Sequence, residues 1–551
     1  MKVVIVGGVA GGASAAARLR RLNEEAQIVM FERGEYISFA NCGLPYYVGG
    51  LIPKRASLLV QTPKAMHSRF NIDVRTLSEV VGVFPVDKEV EVKDLRSGES
   101  YRENYDYLVL APGAAPFIPP IPGIGLANVF TIRNVPDSDM IKQYIETEQP
   151  ASAVVIGAGF IGIEMTEVLA SQGVNVHLVE AGSQVMAGLD RDMAAIVHQY
   201  IRKKSINLHL NSQAVAIEGT DKVAAVRLAD GSLLEAQMVI LGIGVRPETA
   251  LAQGAGLAIG STGGILVDEY LRTSDASIYA AGDAIQVKDF VTGRDALVPM
   301  ASPANRQGRT VADNICGRGI KYKGAQGTGI VRIMDLVIAV TGANSRVLGA
   351  QKIDFRSCLI HPFPHATYYP GGTQMTLKML FAPGSGKVLG AQIVGYEGVD
   401  KRIDVLATAI RAGMTVFDLQ ELELAYAPPF SSAKDPVNMA AYAAGNIING
   451  DVDGIDWAQV PGLVQEGAYL LDVRTEREVE SGAIQGAANI PLDDLRQRLA
   501  ELPRDKQILI SCQVGLRSYL ATRILFQHGF SVKNIAGGYK LYQILRADHL
   551  L

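Results

Sequence analysis

Four cysteines, Cys42, Cys316, Cys358 and Cys512, are spread over 551 residues. No two stand close enough for a CxxC pair or a zinc knuckle, and four cannot make a disulfide scaffold. Those that do chemistry must therefore act singly, as thiolates, in a reducing compartment. Cys42 lies in ISFANCGLPYYVGG and Cys512 in ILISCQVGLRS, whereas Cys316 and Cys358 have no motif around them and read as structural. An unperturbed thiol, with a pKa of about 8.5, is only a few per cent ionised at neutral pH. A site that uses Cys42 should lower that value, and the helix start expected near Asn41 to Gly43 would help.

Two glycine loops supply the second kind of chemistry. Lys2 to Val6 is a short apolar run followed by Gly7, Gly8, Gly11 and Gly12 and then the helix former ASAAARLRRL. Strand, tight turn and helix start together suit a pyrophosphate, because helix N-terminal N–H groups face the anion and glycine lets it approach the main chain. The next strand, QIVMFE, ends at Glu32, 20 residues beyond Gly12, where a carboxylate should take a ribose hydroxyl, with Arg33 beside it. Val9 departs from the usual pattern, standing at its middle glycine. The pattern recurs at Gly157, Gly159, Phe160, Ile161 and Gly162, and Glu180 ends the following strand. Two such units suggest two adenine dinucleotides, a flavin (FAD) and a nicotinamide. Glu180 favours NADH over NADPH, since a carboxylate accepts from a 2′-hydroxyl and repels a 2′-phosphate.

The elements that position these residues alternate strand and helix, an α/β pattern. With 48% hydrophobic and 20% charged residues a large core is available and wholesale disorder is excluded. A formal charge of −4 lacks the footprint of a nucleic-acid binder. There is no long apolar run for a membrane and no export signal, so a cytoplasmic protein is expected.

YDYLVLAPGAAP, with Ala111, Pro112 and Gly113, and SIYAAGDA, with Gly282 and Asp283, lie on either side of the second glycine loop. They resemble the remaining motifs of the two-dinucleotide-binding flavoprotein disulfide reductases. The resemblance implies two Rossmann-like domains, an FAD domain (1–148 and 262–325) interrupted by an NADH domain (149–261), then an α+β dimerisation domain (326–450). It puts Asp283 on the ribityl chain and Gly244, in LGIGVRPET, on the nicotinamide side. Relatives with an internal disulfide carry a second cysteine where Tyr47 stands. Single-cysteine peroxidases and oxidases carry a histidine where Ala10 stands, so that chemistry lacks its acid–base group here. SFANCGLPY resembles the coenzyme A disulfide reductases instead. That likeness makes Cys42 the redox centre and has Tyr368 and Tyr426 of a second copy reach over it in a homodimer. It also implies that Ser14, Arg18, Arg21, Ser38, Asn41 and Lys434 line a coenzyme A channel. No metal site is implied.

At GNIINGDVDGIDW the helical periodicity stops and a short linker is expected. Residues 456–551 resemble a single-domain rhodanese. Cys512 to Arg517 has the C-x-x-G-x-R shape of a six-residue sulfur-transfer loop, in which backbone N–H groups nest around the sulfur and Arg517 adds charge. Asp472 and Arg474 are expected to brace it. The whole chain thus resembles coenzyme A-disulfide reductase–rhodanese fusions. The resemblance implies NADH- and FAD-dependent reduction of coenzyme A persulfide or polysulfide, with Cys512 relaying sulfane sulfur. Reduction of coenzyme A disulfide, NADH peroxidase or oxidase activity, and a tail that only docks or senses redox state are the other readings.

Overall fold

A computed structural model describes residues 1–551 and divides into two compact units, Met1–Ala181 with His209–Gly327, and Gly182–Leu208 with Thr328–Leu551. The first unit holds a parallel sheet with the strand order Ile278–Ala280, Tyr107–Leu110, Lys2–Val6, Gln27–Glu32 and Asp73–Thr76. Val3, Val4, Ile5, Leu108, Val109 and Leu110 are fully buried, as expected where helices cover both faces of a parallel sheet. Helix Ala10–Leu22 lies so close to helix Ala301–Ile315 that a Cβ on Gly308 would stand 2.2 Å from the Gly11 carbonyl oxygen.

Between the Tyr107–Leu110 and Ile278–Ala280 strands of that sheet the chain makes a second parallel sheet. Its order includes Asn175–Val179, Ser152–Ile156, Met238–Leu241 and Val129–Phe130. The second nucleotide fold is therefore inserted into the first. Its edge strand, Val129–Phe130, comes from before residue 149. The antiparallel ribbon of Ala114–Pro116 with Val245–Pro247 marks where the chain crosses out and back.

The second unit is built on an antiparallel sheet ordered Gly329–Ile333, Leu336–Gly342, Val388–Gly395, Thr376–Phe381, Arg356–Ile360. Helices Val399–Ala412 and Pro436–Ile448 pack on it. Helix Arg191–Lys203, which the sequence assigns to the nicotinamide segment, packs in this unit. Lys378 explains why: buried in the sheet, it binds Asp190 at 3.0 Å and Asp192 at 2.7 Å at that helix's start.

The tail forms a parallel sheet ordered Gly454–Ile455, Val532–Ile535, Ile508–Ser511, Tyr469–Asp472, Ala488–Asn489. The end of the expected linker is ordered: Gly454–Ile455 joins this sheet, and Trp457 is buried, donating Nε1–H to the Gly538 carbonyl at 3.0 Å. Its apolar ring favours burial and its N–H needs a partner, so the single tryptophan pins the tail's entry. Across the chain no helix is long and apolar enough to cross a membrane.

Candidate functional site

Each glycine loop turns from strand to helix on a residue in the left-handed region, Gly7 at φ 96° and Gly157 at φ 97°. A Cβ on Gly7 would stand 2.1 Å from the Ala111 carbonyl oxygen, and one on Gly157 2.6 Å from that of Gly242. Only glycine allows this approach. The two loops repeat each other closely. Gly12 and Gly162 would each put a Cβ 1.9 Å from the carbonyl of their own loop's first glycine. Each strand-end glutamate accepts a loop N–H: Glu32 takes Gly8 at 2.9 Å, with Gly34 at 2.8 Å, and Glu180 takes Ala158 at 2.8 Å.

The first loop opens on a cleft lined by Gly7, Gly11, Glu32, Arg33, Ala111, Pro112, Gly113, Gly282 and Asp283. A helix N-terminus, a carboxylate at the strand end and a second acid, Asp283, in one cleft fit FAD. Desolvation pushes the Asp283 carboxyl up against the pull of Arg133. Gly8 and Gly12 are buried and act in packing, while Arg33 pairs with Glu248 at 2.5 Å. At the second loop, Gly159 and Gly244 leave open space and Phe160 is exposed.

Cys42 is exposed in a helical turn, Asn41–Gly43, that leads into helix Leu44–Val48. That helix packs on Phe160–Ser171 of the inserted fold, which brings Glu164 within 3.4 Å of the Tyr46 hydroxyl, its hydrogen-bond donor. Desolvation raises the Glu164 carboxyl to about 7. Desolvation, and then the Glu164 and Asp283 carboxylates, hold the Cys42 thiol above its ordinary value. The expected lowering is thus not a property of the polypeptide around the sulfur, because desolvation and two acids outweigh one short helix start. Tyr47, in place of a second cysteine, is buried and donates to Asp139 at 3.1 Å.

Of the six residues expected at a coenzyme A channel, Ser14, Arg18, Arg21 and Ser38 line one groove of about 320 Å³. Asn305, Arg309, Met66 and Phe70 are among its other walls. Asn305 accepts from the Ser14 hydroxyl at 2.6 Å, and Arg18 is already paired with Asp313 at 2.7 Å. Arg21 and Arg309 are exposed, so they are the cations most open to an anion. Asn41 lines the cofactor cleft rather than this groove, its Oδ1 buried without a protein donor.

In the second unit, Tyr368 and Tyr426 share a hydrogen bond of 2.7 Å between their hydroxyls and are exposed, as is Lys434. The loops bearing them are tied by buried Arg402, which donates to the Pro364 carbonyl at 2.8 Å, to Ser431 Oγ at 3.1 Å and to Asp435 at 2.9 Å. Sequence reading missed Arg402 and Glu164, since each acts on residues far away in the chain.

In the tail, Cys512 is fully buried at its loop, and Gly515 N–H donates to its Sγ at 3.1 Å. Arg517 donates twice to Glu478, so its charge is shared rather than given wholly to the sulfur. Asp472 and Arg474 form a buried pair at 2.7 Å, and Arg474 stacks on Tyr539 at 3.7 Å from the ring centre. Cys358 is buried, donates to the Ala440 carbonyl, and is pushed by burial to about 12, as an inert thiol would be.

These features define a two-dinucleotide oxidoreductase carrying a sulfur-transfer fold. The pyridine nucleotide-disulphide oxidoreductase family model matches residues 1–308, its dimerisation domain residues 329–436, and a rhodanese-like domain residues 456–544. The chain belongs to the pyridine nucleotide-disulphide oxidoreductase family, with a rhodanese-like tail. It is 52% identical to the reduced CoADR-RHD of Bacillus anthracis, covering 99% of this chain and 98% of that one, with a TM-score of 0.98. It is similar to an NAD-dependent persulfide reductase from A. fulgidus (39% identity, 98% and 100% coverage, TM-score 0.92). A relative from Methanocaldococcus jannaschii described as an NADH oxidase is 38% identical over 80% of this chain and 98% of its own.

Proposed function

We propose that this protein uses NADH and FAD to reduce coenzyme A persulfide, and coenzyme A disulfide at the same site, through Cys42 alone. The observation that carries this is a solitary exposed thiol on the chain segment that lines both a flavin-fitting cleft and an arginine-lined groove, with Tyr47 where a resolving cysteine would stand. Cys42 as thiolate attacks the S–S bond of the substrate. From the disulfide it expels one coenzyme A thiolate; from the persulfide it expels hydrosulfide; either way Cys42 keeps coenzyme A as a mixed disulfide. FAD held in the cleft would supply two electrons from NADH, and cleavage of that mixed disulfide returns the Cys42 thiolate and releases coenzyme A as its thiolate. Arg21 and Arg309 hold substrate phosphates, with Arg18 oriented by Asp313. Ser14 and Ser38 offer hydrogen bonds to the rest of the substrate. Glu32, Asp283 and the first loop hold FAD; Glu180, Gly244 and the second loop hold NADH.

The dimerisation-domain match supports a homodimer, in which the exposed Tyr368, Tyr426 and Lys434 of one copy cover Cys42 of the other. A phenol there donates its proton to the departing thiolate. Alanine at position 10, in place of an acid–base histidine, disfavours the oxidase reading that the archaeal relative's description raises. Cys512 loads sulfane sulfur and passes it to coenzyme A. Lys540 supports coupling: its backbone N–H donates to the Gln513 carbonyl at 3.0 Å, and its Nζ to Gln374 at 3.2 Å, close in sequence to Tyr368.

Anaerobic steady-state assays test the scheme. Cys42→Ser should lose turnover of both coenzyme A substrates by about a thousandfold or more. Cys512→Ser should keep disulfide reduction within about twofold and lose polysulfide-dependent NADH oxidation by about tenfold or more. Unchanged polysulfide turnover in Cys512→Ser ends the relay, and peroxide outrunning both sulfur substrates ends the whole reading.

A further inference from the structure

Arg517 is the only charged side chain in the sulfur loop 512–517, and both of its terminal nitrogens are already engaged. Its two terminal nitrogens donate to Glu478 Oε2 at 2.7 Å and Oε1 at 2.6 Å, a bidentate pair. Glu478 is anchored in turn. Its Oε2 accepts the Thr475 N–H at 3.0 Å and hydroxyl at 2.9 Å, and its own N–H donates to Thr475 Oγ1 at 3.3 Å. This capping box holds the carboxylate in place at the start of helix Glu476–Glu480. Hydrogen bonding from Arg517 lowers the Glu478 carboxyl to about 2, so it stays an anion throughout any assay range. The neighbouring guanidinium cannot substitute: Arg474 is buried and committed to Asp472 and to the Glu478 and Gly482 carbonyls.

Sulfur donors differ in what stands next to the transferable atom. Thiosulfate carries a sulfonate there, which a forked cation would hold. An organic persulfide or a sulfur chain carries none. We propose that Glu478 is a specificity-determining residue that occupies the oxyanion place on Arg517 and thereby selects sulfane-sulfur donors lacking a sulfonate. The inference rests on the reading of Cys512 as the sulfur-loading thiol. In the favoured step the Cys512 thiolate attacks the outer sulfur of R–S–SH, forming Cys512–S–SH and releasing RS⁻. With thiosulfate the same attack gives the Cys512 persulfide anion and sulfite, and the sulfonate must compete with Glu478 for Arg517.

The test follows Cys512 sulfuration by peptide mass spectrometry in the full-length FAD-loaded protein, with thiosulfate or glutathione persulfide as donor. Wild type should load from the persulfide faster than from thiosulfate. Glu478→Gln keeps a capping side chain but frees the guanidinium. It should raise thiosulfate loading by about tenfold, roughly one charge-assisted hydrogen bond, through a lower half-saturating concentration, and move persulfide loading by less than about threefold. Equal changes with both donors, or none with thiosulfate, overturn the inference while leaving Cys512 as the loading thiol. Thiosulfate loading wild type as fast as persulfide overturns it without any variant. Loading from neither donor removes the Cys512 reading and this inference together.

Discussion

Cys42 and Glu164 both ionise less readily than free side chains, because desolvation raises each and a Glu164 carboxylate opposes a Cys42 thiolate. Since burial raises the Glu164 carboxyl to about 7, raising the pH through that value adds a negative charge near the Cys42 sulfur. Removing that charge stabilises the thiolate, so Glu164→Gln should lower the Cys42 pKa. Iodoacetamide should then alkylate Cys42 about threefold faster at pH 7. The pH profile of alkylation checks this, and a thiol pKa that stays put or rises would remove Glu164 from the site's electrostatics. The lone cysteine is plain in the sequence. Its acid neighbour is not, because only the packing of helix Leu44–Val48 on helix Phe160–Ser171 brings the two together.

Among elements, Lys378 shows how a strand captures a helix. Burial alone would lower its ammonium, yet the carboxylates of Asp192, Asp190 and Asp456 hold it well above the usual lysine range. Replacing it with methionine leaves acids buried without their cation, and such a break costs about 3–5 kcal/mol. Denaturant unfolding of Lys378→Met should show that loss; a change below about 1 kcal/mol would mean that helix Arg191–Lys203 does not depend on the pair. Strand and helix identities follow from local pattern, since MKVVIV and ASAVVI are apolar runs that end in glycine. The body that helix Arg191–Lys203 joins is not locally encoded, because its decisive partner lies 186 residues beyond Asp192.

Over the whole molecule, the tail is joined to the dimerisation sheet through His361. Its Nε2–H donates to the Gly537 carbonyl at 3.2 Å, so its Nδ1 accepts from the Thr376 hydroxyl at 2.9 Å, and the ring is neutral. Burial, then Lys540, lower this imidazole to about 3. Its unfolded value is about 6.5, so the unfolded chain takes up a proton first as pH falls. Its contribution is therefore fully present above about 6.5 and is lost as pH drops toward 3, by at most about 2 kcal/mol at pH 5. Thermal melts at pH 7.5 and 5 should show His361→Gln losing less stability on acidification than wild type. Equal losses would show that the tail junction does not titrate through this ring.

The two glycine cradles, the lone Cys42 and the Cys512–Arg517 loop can all be read along the chain, because each is a short-range matter of backbone sterics and cysteine count. Which charges those groups feel emerges only once the chain has folded. Arg18 is committed to Asp313, Arg517 to Glu478, and Asn41 turns to the cofactor cleft rather than to the groove. The physical reason is reach: φ and ψ are settled within a few residues, whereas an ion pair or a desolvated acid is made by whatever the fold brings within a few ångströms.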